Sequence, residues 1–344
     1  MMLSGVVLLV LGAAFAWGLT GLFRRYALAA SLLDVPNSRS SHSVPTPRGG
    51  GVAFILGFLL MLVVGRGLGL VDTVVLWAYL PAGCVVAVVG FLDDRRGIPA
   101  RWRLLAHFLA GALLLFAIGG LAPVDLPWGV TRLRWVGSIL ALIYLVWLLN
   151  LYNFMDGIDG IASLEAISVC LAGALCAWWV GGASHSLWLP LMLAAAVAGF
   201  LIWNFPPARI FMGDAGSGFI GLVLGGLSLQ AAWQAPQLLW SWLILLGVFI
   251  VDATWTLLHR LLRGERVYEA HRSHAYQRAS RRWGQHRIVS LSITAINVIW
   301  LTPLSLVVAS GLLTGALGLF IAYAPLVFLA VRLGAGAAER PVHH

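Results

Sequence analysis

The chain contains no lysine. All 22 of its basic residues are arginine, they face only 13 acids, and charged residues of every kind fill 10% of its 344 positions. A chain so poor in charge, and 60% hydrophobic, cannot clothe a water-soluble surface. That excludes an ordinary globular domain and points to a polytopic membrane protein. Cysteine is scarce too. Cys84, Cys170 and Cys176 lie in apolar stretches without metal or redox spacing, so they read as small buried hydrophobes. No basic segment precedes the first apolar run, and Arg24 and Arg25 follow it; the reading is a retained first span with its N-terminus outside, not a cleaved signal peptide. HExxH, CxxC and Walker-type runs are missing, as are an internal repeat and a low-complexity tract. There is no soluble domain to hold nucleic acid, so the formal net charge of +9 is read as orientation and contact with anionic lipid.

Long apolar sequence is what the chain has instead. Runs near 4–22, 50–65, 73–91, 103–121, 135–153, 160–180, 187–204, 216–233, 236–258, 288–309 and 312–331 are about as long as a helix needs to cross a bilayer. Their length and the short loops predict an all-α bundle of about eleven transmembrane helices forming a single domain over 1–344, and argue against a barrel of alternating ten-residue strands. If the loop after the first span is cytoplasmic, only Arg66, Arg132 and Arg134 of the 22 arginines fall outside. This bias predicts a periplasmic N-terminus and a cytoplasmic C-terminus.

Five of the 13 acids stand in three Gly-containing runs at the inward ends of spans: Asp93 and Asp94 in GFLDDRRG, Asp156 and Asp159 in NFMDGIDG, and Asp214 in FMGDAGSG. An acid beside hydrocarbon is costly and reads as functional by default. Adjacent Asp93 and Asp94 repel, and on a helix end they point in different directions, so one can act on a substrate while the other binds a cation or orients its neighbour. The alternative is a capped helix end paired with Arg95 and Arg96. In NLYNFMDGIDG, Asn150 and Asn153 share a helical face, which Asp156 extends if the helix persists. Their oxygens suit a hard divalent cation or a polar nucleotide base. Asp214 precedes Gly216 and Gly218 where a helix would begin; it either holds Mg²⁺ against a phosphate at that helix start or simply caps it. Arg101 and Arg103 lie where a lipid phosphate would be, though snorkelling anchors would look the same. The last large inward loop clusters His271, Arg272, His274 and Arg278, a set suited to a diphosphate.

Taken in order, HSVPTPRGGG, GFLDDRRGIPARWRLL, NLYNFMDGIDGIA, IFMGDAGSGFIG and HRSHAYQR resemble the polyprenyl-phosphate N-acetylhexosamine-1-phosphate transferases, the superfamily that includes phospho-MurNAc-pentapeptide translocase. DVPNSRSSHSVPTPRGGG looks most like the branch that initiates O-antigen and related surface polysaccharides. The resemblance implies a bacterial inner-membrane enzyme that moves a sugar-1-phosphate from a UDP-N-acetylhexosamine to undecaprenyl phosphate, with Mg²⁺ or Mn²⁺ as cofactor and at most a homodimer. It implies a deoxy amino sugar such as FucNAc or QuiNAc, or else GlcNAc. By position it makes Asp93 the base, Asp94 its partner or a covalent nucleophile, Asp214 and Asn153 the metal ligands, and Asp159 a uracil contact. Asp156 is a motif acid without an assigned task. Arg103 stands where relatives carry a lysine near the lipid phosphate, and His271 and His274 stand where relatives carry consecutive histidines near the diphosphate. A transporter or polyprenyl-lipid flippase is the competing class. It would need acids near the midplane and a repeated half, whereas Asp252 is the main acid placed inside a span.

Overall fold

The structure, a computed structural model, describes residues 2–36, 44–181, 184–265 and 271–338. His42 of the HSVPTPRGGG motif and three of the arginines counted on the inward side, Arg39, Arg266 and Arg340, lie outside these residues. In chain order the helices are α1 (Met2–Ala29), α2 (Gly51–Gly67), α3 (Thr73–Arg96), α4 (Ala100–Ala117), α5 (Arg134–Met155), α6 (Ile161–Trp179), α7 (Ser184–Asn204) and α8 (Gly213–Gln234). Then follow α9 (Gln237–Leu245), α10 (Gly247–Leu262), α11 (Ala275–Trp283), α12 (His286–Ile296), a π-helical turn (Asn297–Leu301), α13 (Thr302–Ala309) and α14 (Gly315–Arg332). Two antiparallel ribbons complete the described residues. One pairs β1 (Leu33–Asp34) with β2 (Thr46–Pro47), the other β3 (Val124–Leu126) with β4 (Gly129–Thr131).

The protein is a polytopic all-α membrane protein. Among the described residues nine helical segments are long and apolar enough to cross a membrane, and the bent pair α9–α10 makes a tenth. Helix α2 is apolar but shorter, so the eleven predicted runs all become helical while their lengths differ. The run expected as one span over 236–258 is broken by 70° between α9 and α10. The bend separates an apolar α9 from an α10 whose buried side carries Asp252, Thr256 and Arg260.

Helix α8 is the centre of the bundle. Ninety-four per cent of its apolar window is buried, and it packs against α2, α3 and α5. Lipid offers little hydrophobic drive for helices to associate, so close backbone contact through small residues carries this packing. At Gly90 of α3, an added Cβ would lie 2.4 Å from the Ala215 Cα of α8. A glycine there lets the C-terminus of α3 touch the N-terminus of α8, and this contact brings two of the acidic motifs together.

Candidate active site

The last turn of α3 presents Asp93 and Asp94 to the first turn of α8. Asp94 is nearly inaccessible, 7% exposed, because it closes the open end of α8: its Oδ1 accepts the Asp214 N–H at 3.1 Å and its Oδ2 the Ala215 N–H at 3.4 Å. The residue in the α8 cap position, Met212, has no side-chain cap to give, and a helix start left without acceptors is costly. The fit depends on Gly213, whose φ of 78° favours glycine and whose added Cβ would meet the Asp94 carboxylate at 2.5 Å. Asp214 is therefore not the cap considered from sequence; it lies in the first turn with its carboxylate turned to the site. The Arg48 guanidinium donates to the Asp94 carbonyl oxygen.

Asp93 accepts the Ile98 N–H through Oδ1, and its Oδ2 pairs with the Arg103 guanidinium. The same Arg103 Nη1 lies 3.3 Å from Asp214 Oδ2, so one arginine bridges two of the acidic motifs.

The third motif enters from α5. Asn153 lies in its last turn, but the helix ends at Met155 and does not persist through Asp156, which is the C-cap residue with φ −86° and ψ 50°. The chain turns there to enter α6 through Gly160. Asp156 faces a cavity of about 290 Å³ whose wall also includes Asp94, Asp159, Asp214 and Asn153. Enclosure first, then the charges of Asp214, Asp94 and Asp159, hold the Asp156 carboxyl well above its usual range. Asp159 is braced from two sides: its Oδ2 accepts the Ala208 N–H at 2.9 Å, and its Oδ1 lies 3.2 Å from His286 Nδ1. Asn150, one turn before Asn153, faces a smaller cavity of about 60 Å³ that shares Asn153 and Asp214 with the larger one.

The chemistry of these donors suits a hard cation. Five aspartates, Asp34 among them, and the Asn153 amide share a cavity wall whose arginine is Arg48, an excess of acidic groups that a divalent ion would offset. Among the described residues no three His, Cys, Asp or Glu side chains form a closed metal shell. The set thus fits an ion that takes one or two protein ligands and fills its shell with water and phosphate oxygens, as Mg²⁺ does.

Residues 76–232 match the family model for glycosyl transferase family 4. The chain is 30% identical over 304 residues to decaprenyl-phosphate N-acetylglucosaminephosphotransferase of Mycolicibacterium smegmatis, with 80% of this chain and 75% of the relative covered. It is 29% identical over 322 residues to a probable undecaprenyl-phosphate N-acetylglucosaminyl 1-phosphate transferase of Bacillus subtilis, covering 91% and 87%. To phospho-N-acetylmuramoyl-pentapeptide-transferase of Moorella thermoacetica it is 29% identical over 247 residues, covering 67% and 74%.

The chain belongs to glycosyl transferase family 4.

The segment matched to glycosyl transferase family 4 runs from α3 to α8 and holds all five motif aspartates. The cavity wall draws on residues beyond it, and these the sequence reading did not single out. Arg48 follows β2, Asp34 lies in β1, and Gln277 and His286 come from α11 and α12. Asn204, at the end of α7, was missed as well. Its Oδ1 accepts the Gly160 N–H at 3.1 Å and its Nδ2 donates to the Ile210 carbonyl at 3.0 Å, which ties the start of α6 to the loop before α8. Local spacing marks none of these, since each partner lies on a different helix.

The histidine loop does not reach the cavity wall with the residues expected of it. His274 is buried, 2% exposed, with Nδ1 3.4 Å from Asp252 Oδ1. Asp252 also accepts the Ala275 and Tyr276 N–H groups at 2.8 and 3.0 Å, closing the start of α11. His271 stacks on His274 with ring centres 4.8 Å apart, and the Arg272 carbonyl accepts from Arg281. Burial, then neighbouring His274 and Arg260, push the His271 imidazole down to about 3. The loop anchors α11 to α10, and α11 then presents Gln277 to the cavity. Asp252, placed inside a span from sequence, is thus a helix-closing group. Glu165 of α6 is a second acid in a span, fully buried and accepting from Asn297 Nδ2 at 2.6 Å.

Proposed function

We propose that the protein transfers an N-acetylhexosamine-1-phosphate group from a UDP-sugar to undecaprenyl phosphate, releasing UMP, at the cytoplasmic face of the bacterial inner membrane. The observation that carries this reading is the meeting of three Asp-bearing helix ends, two of them bridged by Arg103, around two adjoining cavities beside membrane-spanning helices. A water-soluble nucleotide and a membrane-held phosphate can both reach such a place. The names of the relatives support the same reaction class.

In this reading Asp93 takes the proton of the acceptor phosphate, and Arg103 holds that phosphate against it. An acceptor oxygen attacks the β-phosphorus of the UDP-sugar in line. The bond from that phosphorus to the bridging oxygen breaks, UMP leaves with the oxygen, and the lipid keeps the new diphosphate link. Asp214 and Asn153 would hold Mg²⁺ or Mn²⁺, which when bound supplies charge neutralisation at the transferred phosphorus. Asp94 spends both carboxylate oxygens on the α8 N-terminus, which favours direct displacement over a covalent intermediate on Asp94. Asp159 and His286 form the wall assigned to the uracil end of the nucleotide.

The donor is assigned to the UDP-N-acetylhexosamines, with FucNAc, QuiNAc and GlcNAc as candidate sugars and O-antigen or related surface polysaccharide as the product's destination. The purified protein, given undecaprenyl phosphate, Mg²⁺ and each of these UDP-sugars in turn, is expected to release UMP with at least one. A folded sample that releases none would overturn the reading. Substitution of Mg²⁺ by EDTA should stop release, and Mn²⁺ should restore it.

A further inference from the structure

The smaller cavity contains a group that neither the motifs nor the proposed reaction has used. It lies between α3, α4 and α5, and its wall includes Asp93, Arg103, His107, Asn150 and Asn153. His107 follows Arg103 by one helical turn on α4, so both project toward the same side. The His107 Nδ1 is buried and makes no hydrogen bond of ordinary geometry, although the ring lies beside the Asn150 side chain. Buried polar atoms nearly always have one, so an orphan beside a cavity marks a place where an incoming group completes the set.

The cavity suits a tetrahedral oxyanion. Its volume of about 60 Å³ is several times the roughly 10–15 Å³ that a single water requires. Donors from α4 and α5 line it: the Arg103 guanidinium, the His107 ring and the Asn153 amide, while the Asn150 amide already donates to the Val146 carbonyl at 2.7 Å. Asp93 and Asp214, both paired with Arg103, are the acceptors in the wall. A phosphate monoester titrates near neutral pH, with a second pKa of about 6, and its monoanion has both faces this cavity needs. The P–OH points to Asp93, and the remaining oxygens take the donors.

We propose that His107 binds the acceptor lipid: as the Nδ1–H tautomer it donates to a non-bridging oxygen of the polyprenyl phosphate, one turn deeper along α4 than Arg103. This assignment rests on the transferase reading for the identity of the acceptor, but not for the existence of the phosphate site. Arg103 alone would fix the phosphate at one edge. A second donor on the same helix fixes its rotation, so the P–OH stays on Asp93.

The test uses the full-length protein in detergent with farnesyl phosphate as a short-chain acceptor. KM for farnesyl phosphate is measured at saturating UDP-sugar, and KM for the UDP-sugar at saturating farnesyl phosphate. His107→Ala and His107→Phe should raise the first roughly ten- to hundredfold, the loss expected for a hydrogen bond to a charged group, and leave the second unchanged. His107→Gln, which offers a donor at similar reach, should recover most of the loss; His107→Phe, which fills the space without a donor, should not. A lipid KM that stays put, an equal rise in both KM values, or recovery by Phe would overturn the assignment. Thermal unfolding of each variant identifies one that fails to fold, and the Gln and Phe pair decides the matter if Ala does. Direct binding of farnesyl phosphate to the same samples keeps the two readings apart. Wild type that binds it, more weakly after His107→Phe, yet releases no UMP would sink the transferase reading and leave the phosphate site standing.

Discussion

Asp93 and Asp94 are neighbours in sequence and have little else in common. One faces Arg103 and the smaller cavity, while the other is committed to the backbone of α8. Asp93→Asn and Asp214→Asn should therefore lose UMP release with the fold intact, each by at least about a hundredfold, as for removal of a general base or of a metal ligand. Unchanged melting temperatures would separate that loss from unfolding. A further residue-scale expectation comes from His271, whose imidazole is held down to about 3 from an ordinary value near 6.5. The unfolded chain binds this proton and the folded chain does not, so stability is complete above about pH 6.5 and falls as pH drops toward 3. The melting temperature should decline between pH 7 and pH 5, and His271→Asn should flatten that decline. The five motif acids were legible in sequence because charge beside hydrocarbon is conspicuous in a single stretch. His107, Asn204 and His286 were not, because a lone histidine or asparagine in or beside a helix is unremarkable until its surroundings on other helices are known.

Helix ends, more than side chains, determine how the site is assembled. Helix α3 closes α8 through Asp94, and α10 closes α11 through Asp252, in each case with a carboxylate accepting two N–H groups of the next helix in space. Gly90→Val should force α3 from α8, since the obstacle is the Ala215 backbone and not a movable side chain. A destabilisation of about 1–3 kcal/mol, the usual cost of overpacking, should appear in denaturant or thermal unfolding, together with loss of UMP release. Asp252→Ala should act differently. It opens α11 and displaces Gln277, so the expected result is a higher KM for the UDP-sugar with the KM for the lipid acceptor kept. The sequence placed every long helix, because twenty apolar residues carry their own signal. It did not reveal the 70° break at the start of α10, since that depends on what the turning chain meets: Asp252 meets α11.

For the whole molecule, the proposed chemistry depends on which way the bundle faces, and the distribution of arginine predicts that direction. UDP-sugars are cytoplasmic compounds, so the cavity must open to the side that holds the C-terminus of α3, the N-terminus of α8 and the arginines of α11. The β3–β4 ribbon follows α4, whose other end carries Arg103, so it lies at the opposite end of that helix, and Trp128 at its tip is 77% exposed. With Arg66, Arg132 and Arg134 the only arginines expected on the ribbon side, the positive-inside bias predicts a periplasmic ribbon. Trp128→Cys and Arg282→Cys, introduced one at a time in a Cys84→Ser background whose remaining Cys170 and Cys176 are buried, place the two ends independently of activity. A membrane-impermeant maleimide should label the first in cells with only the outer membrane made permeable. The second should label only after the inner membrane is opened. The reverse pattern would turn the Asp cavity to the periplasm, where no nucleotide sugar could reach it, and would remove the donor from the proposed reaction even if every residue assignment within the cavity stood.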